Sequence, residues 1–222
     1  MMKQRVHVWD WSVRVFHWAL VLLVLAMWWT AEQGYMEWHK RLGVGMVGLL
    51  AYRLIWGVIG SKPARLSSLL PRPGHLIGYL KTLKARKYRP SFGHSPLGGL
   101  AVIALLGLLL VQTATGLFAV DVNGLASGWF GHMVSFDLGR IMADIHETSF
   151  DLLVYMIGLH LLAIASYAVL LRANLVTPMI TGYQTQNEAE QAVTSATAPI
   201  IRVAVAIIIA VGLSIAVMWF GR

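Results

Sequence analysis

Residues 142–171 read MADIHETSFDLLVYMIGLHLLAIASYAVLL, a largely apolar run that contains two histidines, His146 and His160. A helix turns about 100° per residue, so the fourteen steps between them bring the second side chain back to nearly the same face. At about 1.5 Å per residue the two rings lie roughly 21 Å apart along the axis. The hydrocarbon core of a bilayer is about 30 Å thick. One metal ion cannot reach both rings, whereas two centres stacked across a membrane can.

The rest of the chain agrees with a membrane setting. Of 222 residues, 57% are hydrophobic and 13% charged, where a soluble domain carries about 25% charged residues. The apolar residues fall into five blocks: Val13–Ala31, Leu42–Ile59, Leu97–Val120, Leu152–Leu171 and Ile200–Phe220. Each is long enough, with its flanks, to cross a bilayer. The expected architecture is an all-α membrane protein, with a four-helix transmembrane bundle and a fifth C-terminal transmembrane helix. The first helix has basic flanks without a small-residue cleavage site, so it reads as a retained anchor.

The net charge of +8 is a topology signal rather than a nucleic-acid footprint. Between Ser61 and Ser95 lie Lys62, Arg65, Arg72, Lys81, Lys84, Arg86, Lys87 and Arg89, with no acid among them. The N-terminal tail adds Lys3, Arg5 and Arg14. On the opposite side Glu32, Glu37, Asp121 and Asp137 face Lys40, Arg41 and Arg140. The positive-inside rule then places the N-terminus and the 61–95 loop in the cytoplasm, with anionic lipid as a contact. Within that loop Leu76, Ile77, Leu80 and Leu83 alternate with lysines over Gly74–Ala85, a pattern for a short helix on the membrane surface. The Gly- and aromatic-rich segment Asp121–Arg140 is long for a connector and suits a docking or capping role. The polar stretch Arg172–Thr197 reads as partly disordered, with 183–198 a linker between a main domain over 1–182 and the last helix over 199–222.

The chain has no cysteine. Iron–sulfur clusters, thiolate metal sites and covalent haem of the Cys-x-x-Cys-His kind are therefore excluded on this chain. Histidine is left as the strong metal ligand. If the first helix runs outward, His17 lies near the cytoplasmic side and His39, at the start of the inward second helix, near the outer side. The fourth helix also runs inward, with His146 near the outer side and His160 deeper. The depths match in pairs, His17 with His160 and His39 with His146. Two bis-histidine layers suit two b-type haems, whose irons take imidazole axially. Zinc or copper would want three or four ligands at one point. A non-redox bundle whose histidines only pack is the bland alternative.

Several segments carry a resemblance. Val8-Trp9-Asp10 with Arg14-Val15-Phe16-His17-Trp18, then His39-Lys40-Arg41-Leu42-Gly43, Gly93-His94-Ser95-Pro96-Leu97-Gly98-Gly99, Ile145-His146-Glu147, Gly158-Leu159-His160 and Asn174–Gly182 together resemble the bacterial cytochrome b561 family, in particular its nickel-iron-hydrogenase cytochrome b branch. The similarity covers about residues 6–182. It implies a four-helix diheme membrane cytochrome in the bacterial inner membrane, with His17, His39, His146 and His160 as haem-iron ligands. It also implies exchange of electrons with ubiquinone or menaquinone.

Haem propionates need cationic or hydrogen-bonding partners. Arg53, fourteen residues after His39 and so on the same face, stands at the depth of the His17/His160 layer; snorkelling to the inner surface is its other reading. Arg14 is a second cofactor candidate, and Lys40 and Arg41 are weaker ones. Gly43, Gly45, Gly48 and Gly107 admit either a macrocycle or a close helix. Gly43–Gly48 matches G-x-G-x-x-G but sits inside an apolar helix, which removes the dinucleotide reading. Glu147 either orients the His146 ring or faces water. His94 reads as structural, quinone-side or propionate-binding, in that order. The leading function is electron relay between a periplasmic redox protein (a hydrogenase, another dehydrogenase or a c-type cytochrome) and the quinone pool. The resemblance also permits a superoxide:quinone oxidoreductase working without a protein partner. That activity would need a cationic funnel outside, which four acids against three bases do not favour.

Overall fold

The computed structural model describes residues 3–85, 93–123, 126–187 and 197–221. Arg86, Lys87, Arg89 and Pro90 of the basic loop, and residues 188–196 of the linker, lie outside the described residues. Five helices are long and apolar enough to span a membrane: α1 (Trp11–Glu32), α2 (Met36–Ile59), α4 (Pro96–Phe118), α5 (Phe136–Leu170) and α7 (Ile200–Phe220). Two shorter helices, α3 (Pro73–Lys84) and α6 (Val176–Thr181), and two strands, β1 (Lys3–His7) and β2 (Tyr183–Asn187), complete the described elements with three 3₁₀ turns. Large apolar side chains such as Leu22, Val169 and Ile208 stay exposed on the long helices, as a lipid-facing surface requires. The fold is that of an all-α membrane protein.

The chain divides into two compact units, Met1–Val15 with Ile55–Ala104 and Met156–Val203, and Phe16–Leu54 with Leu105–Tyr155 and Ala204–Arg222. The first is organised around Asp10, which is fully buried. Its Oδ1 accepts the Val13 N–H at 2.9 Å and the Ser12 hydroxyl at 2.8 Å, capping α1. Its Oδ2 accepts Trp56 Nε1 at 3.3 Å and the Ser61 hydroxyl at 2.5 Å, tying that cap to the end of α2. A short helix forms at Pro73–Lys84, close to the expected Gly74–Ala85; of its expected apolar face Leu76 and Leu83 are half-buried, together with Tyr79, whereas Ile77 and Leu80 are exposed like the lysines. Tyr79 and Tyr167 share a hydrogen bond at 2.5 Å that joins α3 to α5.

Within the polar stretch Arg172–Thr197, residues 176–187 are built into short elements. Asn174 Oδ1 accepts the N–H groups of Val176 and Thr177 at the start of α6. Gly182 closes α6 with φ +87°, a left-handed conformation that glycine adopts without strain. Its carbonyl accepts the N–H of Val8 at 2.8 Å, and β1 then pairs antiparallel with β2 from Lys3↔Asn187 to His7↔Tyr183. Pairing between segments so far apart in the chain leaves no local signature, so the sequence marked the first only as a tail and the second only as part of a polar linker.

In the second unit a tight turn joins α1 to α2 through Gly34, at φ +71°. α5 begins at Phe136, six residues before the expected Met142. Ser135 caps it, with Oγ accepting the Leu138 N–H at 3.3 Å, and Arg140 pairs with Asp144 at 3.0 Å one turn on. These polar first turns are helical without being apolar, which is why hydropathy located only the later part. The connector folds back on the end of α4: Phe130 N–H bonds the Leu117 carbonyl at 2.7 Å, and Gly128 N–H bonds Ala119 at 2.8 Å. It thereby caps carbonyls that a helix end leaves open. On α7, Ala206, Ala210 and Val217 form a buried stripe, and Ser214 Oγ donates to the Val44 carbonyl of α2 at 3.2 Å. A Cβ on Gly48 would stand 2.5 Å from Ser214 Oγ. Nine residues separate Gly48 from His39, half a turn out of phase, so α7 covers the side of α2 turned away from His39.

Replacing Asp10 by alanine leaves four buried donors without their acceptor, at about 1–3 kcal/mol each. Asp10→Ala is expected to lower the thermal unfolding midpoint of the detergent-solubilised protein strongly. Asp10→Asn, which keeps part of the cap, should lower it less.

Candidate functional site

His39 lies in the first turn of α2, where its N–H bonds the Tyr35 carbonyl at 2.9 Å. Its side chain reaches α1: Nδ1 stands 2.9 Å from the Met27 carbonyl oxygen. A carbonyl only accepts, so Nδ1 carries the proton and, in the neutral ring, Nε2 carries the lone pair. His146, on α5, repeats the arrangement against α4. Its Nδ1 is 2.8 Å from the Gln112 carbonyl oxygen, so the same tautomer is selected. Both rings are thus set as metal-ligating histidines are set, with one nitrogen anchored to backbone and the other left basic.

The two rings come together with centroids 6.2 Å apart and planes at 88°. An imidazole nitrogen binds a first-row metal at about 2.0 Å and the ring centre lies about 1 Å further back, so two rings on opposite sides of one ion stand roughly 6 Å apart. The observed separation fits that span. Among the described residues no group of three or more His, Cys, Asp or Glu could hold a metal ion. Two imidazoles therefore suit an iron that brings its own equatorial ligands, as haem does.

Three further residues complete the surroundings of His146. The Gln112 side-chain Nε2 is 3.1 Å from His146 Nε2, and the Ser149 hydroxyl bonds Gln112 Oε1. Thr115 Oγ1 lies 3.5 Å from His146 Nδ1. Gly116 backs the ring: a Cβ there would stand 2.6 Å from Cε1 and 2.9 Å from Nδ1. The sequence reading missed Gln112, Ser149 and Gly116. A signal existed for the first, since an amide inside the apolar run of α4 demands a partner. Glu147 is exposed, and the ring is oriented by Gln112 instead.

The other candidates are placed as follows. His17 is half-buried on α1 with its ring edge-on to Trp18 at 5.1 Å, and His160 is half-buried on α5, fourteen residues after His146. Arg53 is 4% exposed, deep within the α2 span, which removes simple snorkelling to water. Arg14 donates from Nη1 to the Ile180 carbonyl at 2.6 Å, a structural use. His94 meets Trp9 edge-on, with ring centroids 4.6 Å apart. Gly48 serves helix packing against α7, while Gly43 and Gly45 meet only the tips of Met27 and Leu23.

Because nothing flexible lies between Gly116 and the imidazole, Gly116→Ala is expected to push the His146 ring out of line with His39. Haem retained per purified chain, measured as the pyridine haemochrome, should fall by up to one equivalent. A Gly107→Ala control should leave it unchanged, since nothing lies within 4 Å of a Cβ there.

The model of the prokaryotic cytochrome b561 family matches residues 8–182, most of the chain, a span that includes His17, His39, His146 and His160. No curated protein and no solved structure matches it. The match agrees with an anchored imidazole pair inside a membrane-spanning helical fold and with b-type haem as the group it suits. The chain belongs to the prokaryotic cytochrome b561 family, membrane b-type cytochromes of electron transfer.

Proposed function

We propose that this chain is a diheme cytochrome that relays electrons across the bacterial inner membrane between a periplasmic redox protein and the quinone pool. The observation that carries the reading is the His39/His146 pair, both rings anchored at Nδ1 and separated by the span of a shared ion. In this reading His39 and His146 hold one haem and His17 and His160 the other. The fourteen-residue spacing on α5 separates the two layers by roughly 21 Å along the helix.

Haem iron held by two imidazoles supplies reversible one-electron chemistry. The chain's own residues set the conditions for it. The carbonyls of Met27 and Gln112 keep each ligand in the tautomer that offers Nε2, and they raise its basicity. Apolar helices exclude water around the rings. Arg53, buried and in phase with His39 one layer deeper, has the charge to neutralise a propionate. With no cysteine on the chain, the next redox centre belongs to another protein, a hydrogenase, another dehydrogenase or a c-type cytochrome. The acid-free basic loop over residues 61–95 supports a cytoplasmic position for that end and an outer position for His39 and His146.

The purified protein is expected to carry two haems per chain and to give a b-type reduced-minus-oxidised spectrum. His39→Ala and His146→Ala should each lose the same haem, and His17→Ala and His160→Ala should each lose the other. A wild-type chain with a single haem, or a His160→Ala variant that keeps both, would contradict the assignment.

A further inference from the structure

The apolar residues of α3 divide between two faces that a single amphipathic pattern merges. Leu76, Tyr79 and Leu83 are half-buried and fall within about 60° of one another around the axis. Ile77 and Leu80 are 56% and 45% exposed. Counted from Leu76, the residues Leu80, Lys84, Ile77 and Lys81 stand at about 40°, 80°, 100° and 140° to one side. Both lysines belong to the last turn of α3 and are exposed. Ile77 with Lys81 and Leu80 with Lys84 are each four residues apart, so each lysine is the surface neighbour of an exposed apolar side chain. The other side carries exposed His75 and Thr82, at about 100° and 120°. A helix with one packed stripe and water elsewhere has no use for such a flank.

Two anchors set the depth of this flank. Tyr79 shares its hydrogen bond with Tyr167, which lies four residues, about 6 Å, before Leu171 closes the apolar run of α5. Ahead of α3, Leu69 is buried against the first turn of α4, where a Cβ on Gly99 would stand 2.3 Å from its carbonyl oxygen. Both anchors lie near the ends of membrane spans, where hydrocarbon gives way to headgroups. An interfacial helix buries its apolar face about 5–10 Å into that boundary. Lysines beside such a face lay their stems along it and carry the ammonium out to the phosphates. Residues 61–95 hold no acid, so no carboxylate of this segment competes with phosphate for them.

We infer that α3 is a lipid-binding element, in which Ile77 and Leu80 insert into the leaflet at this end of the spans and Lys81 and Lys84 hold the headgroups of anionic phospholipid. Charge selects the lipid: a zwitterionic headgroup carries its own ammonium beside the phosphate, whereas an anionic one leaves the phosphate charge to the lysines. No histidine of either haem layer takes part, so the lipid site stands or falls apart from the haem assignment.

The chain has no cysteine, so a single introduced thiol carries a nitroxide label alone. Full-length Ile77→Cys, Leu80→Cys and Thr82→Cys are labelled and reconstituted into vesicles of phosphatidylcholine and phosphatidylglycerol. Labels at 77 and 80 are expected to relax more with oxygen than with a water-soluble nickel chelate, and the label at 82 the reverse. Relaxation dominated by nickel at 77 and 80 overturns the proposal. Protection from both reagents there also overturns it, because a protein partner then covers the flank. The headgroup is tested on the full-length protein equilibrated in detergent with equal amounts of the two lipids, with bound phospholipid counted by mass spectrometry. Phosphatidylglycerol is expected to be enriched, and the enrichment to fall about fivefold for each of Lys81→Gln and Lys84→Gln. Unchanged enrichment in the double variant overturns the proposal. An equal fall in Lys62→Gln, an exposed lysine of the same loop outside α3, assigns the preference to net charge and overturns it as well.

Discussion

Two hydrogen bonds, from imidazole Nδ1 to a backbone carbonyl on the neighbouring helix, hold the site of this protein in order. A helical carbonyl has a second lone pair that the helix does not use, and in an apolar interior the ring has few other partners. The bond of His39 to Met27 and that of His146 to Gln112 therefore do three things at once. They satisfy a polar group that would otherwise be costly to bury, they choose the tautomer, and they fix the ring's rotation about its own bond. The face-to-edge pair 6.2 Å apart is the outcome, and Gly116 leaves the room it needs.

The same rule governs the other polar groups inside this membrane protein. Where water is absent, each needs an internal partner, and each one found also fastens two elements together. Asp10 gathers two hydroxyls, an indole and a helix N-terminus, joining the start of α1 to the end of α2. Ser214 fastens α7 behind α2 through the Val44 carbonyl. Arg140 donates to the Val120 carbonyl at 2.9 Å and so holds the α4–α5 connection to the first turns of α5.

Much of the fold was legible before any coordinate. Hydropathy alone located five spans, because burial in lipid demands about twenty apolar residues whatever the helix packs against. Their ends were less legible where caps and ion pairs extend a helix past its apolar part, as Ser135, Arg140 and Asp144 do for α5. The β1–β2 ribbon was invisible for a different reason: its hydrogen bonds join Lys3–His7 to Tyr183–Asn187, and nothing local in either segment announces the other. At the site, spacing singled out His146 and matched depth added His39, but neither signal reached Gln112, Ser149 or Gly116.

The sequence by itself determined which residues could hold a metal, since an absent cysteine and a fourteen-residue period leave histidine on one helix face at two depths. It also determined that the chain must span a membrane, because no soluble core could bury so many apolar residues with so few charges. Only the tertiary structure decided which nitrogen each ring offers, that Glu147 faces outward while Gln112 touches the ring, and that the fifth helix covers the back of α2. Those outcomes depend on which carbonyl, amide or hydroxyl another helix brings within about 3 Å, and a periodic pattern in one helix says nothing about the neighbour that faces it.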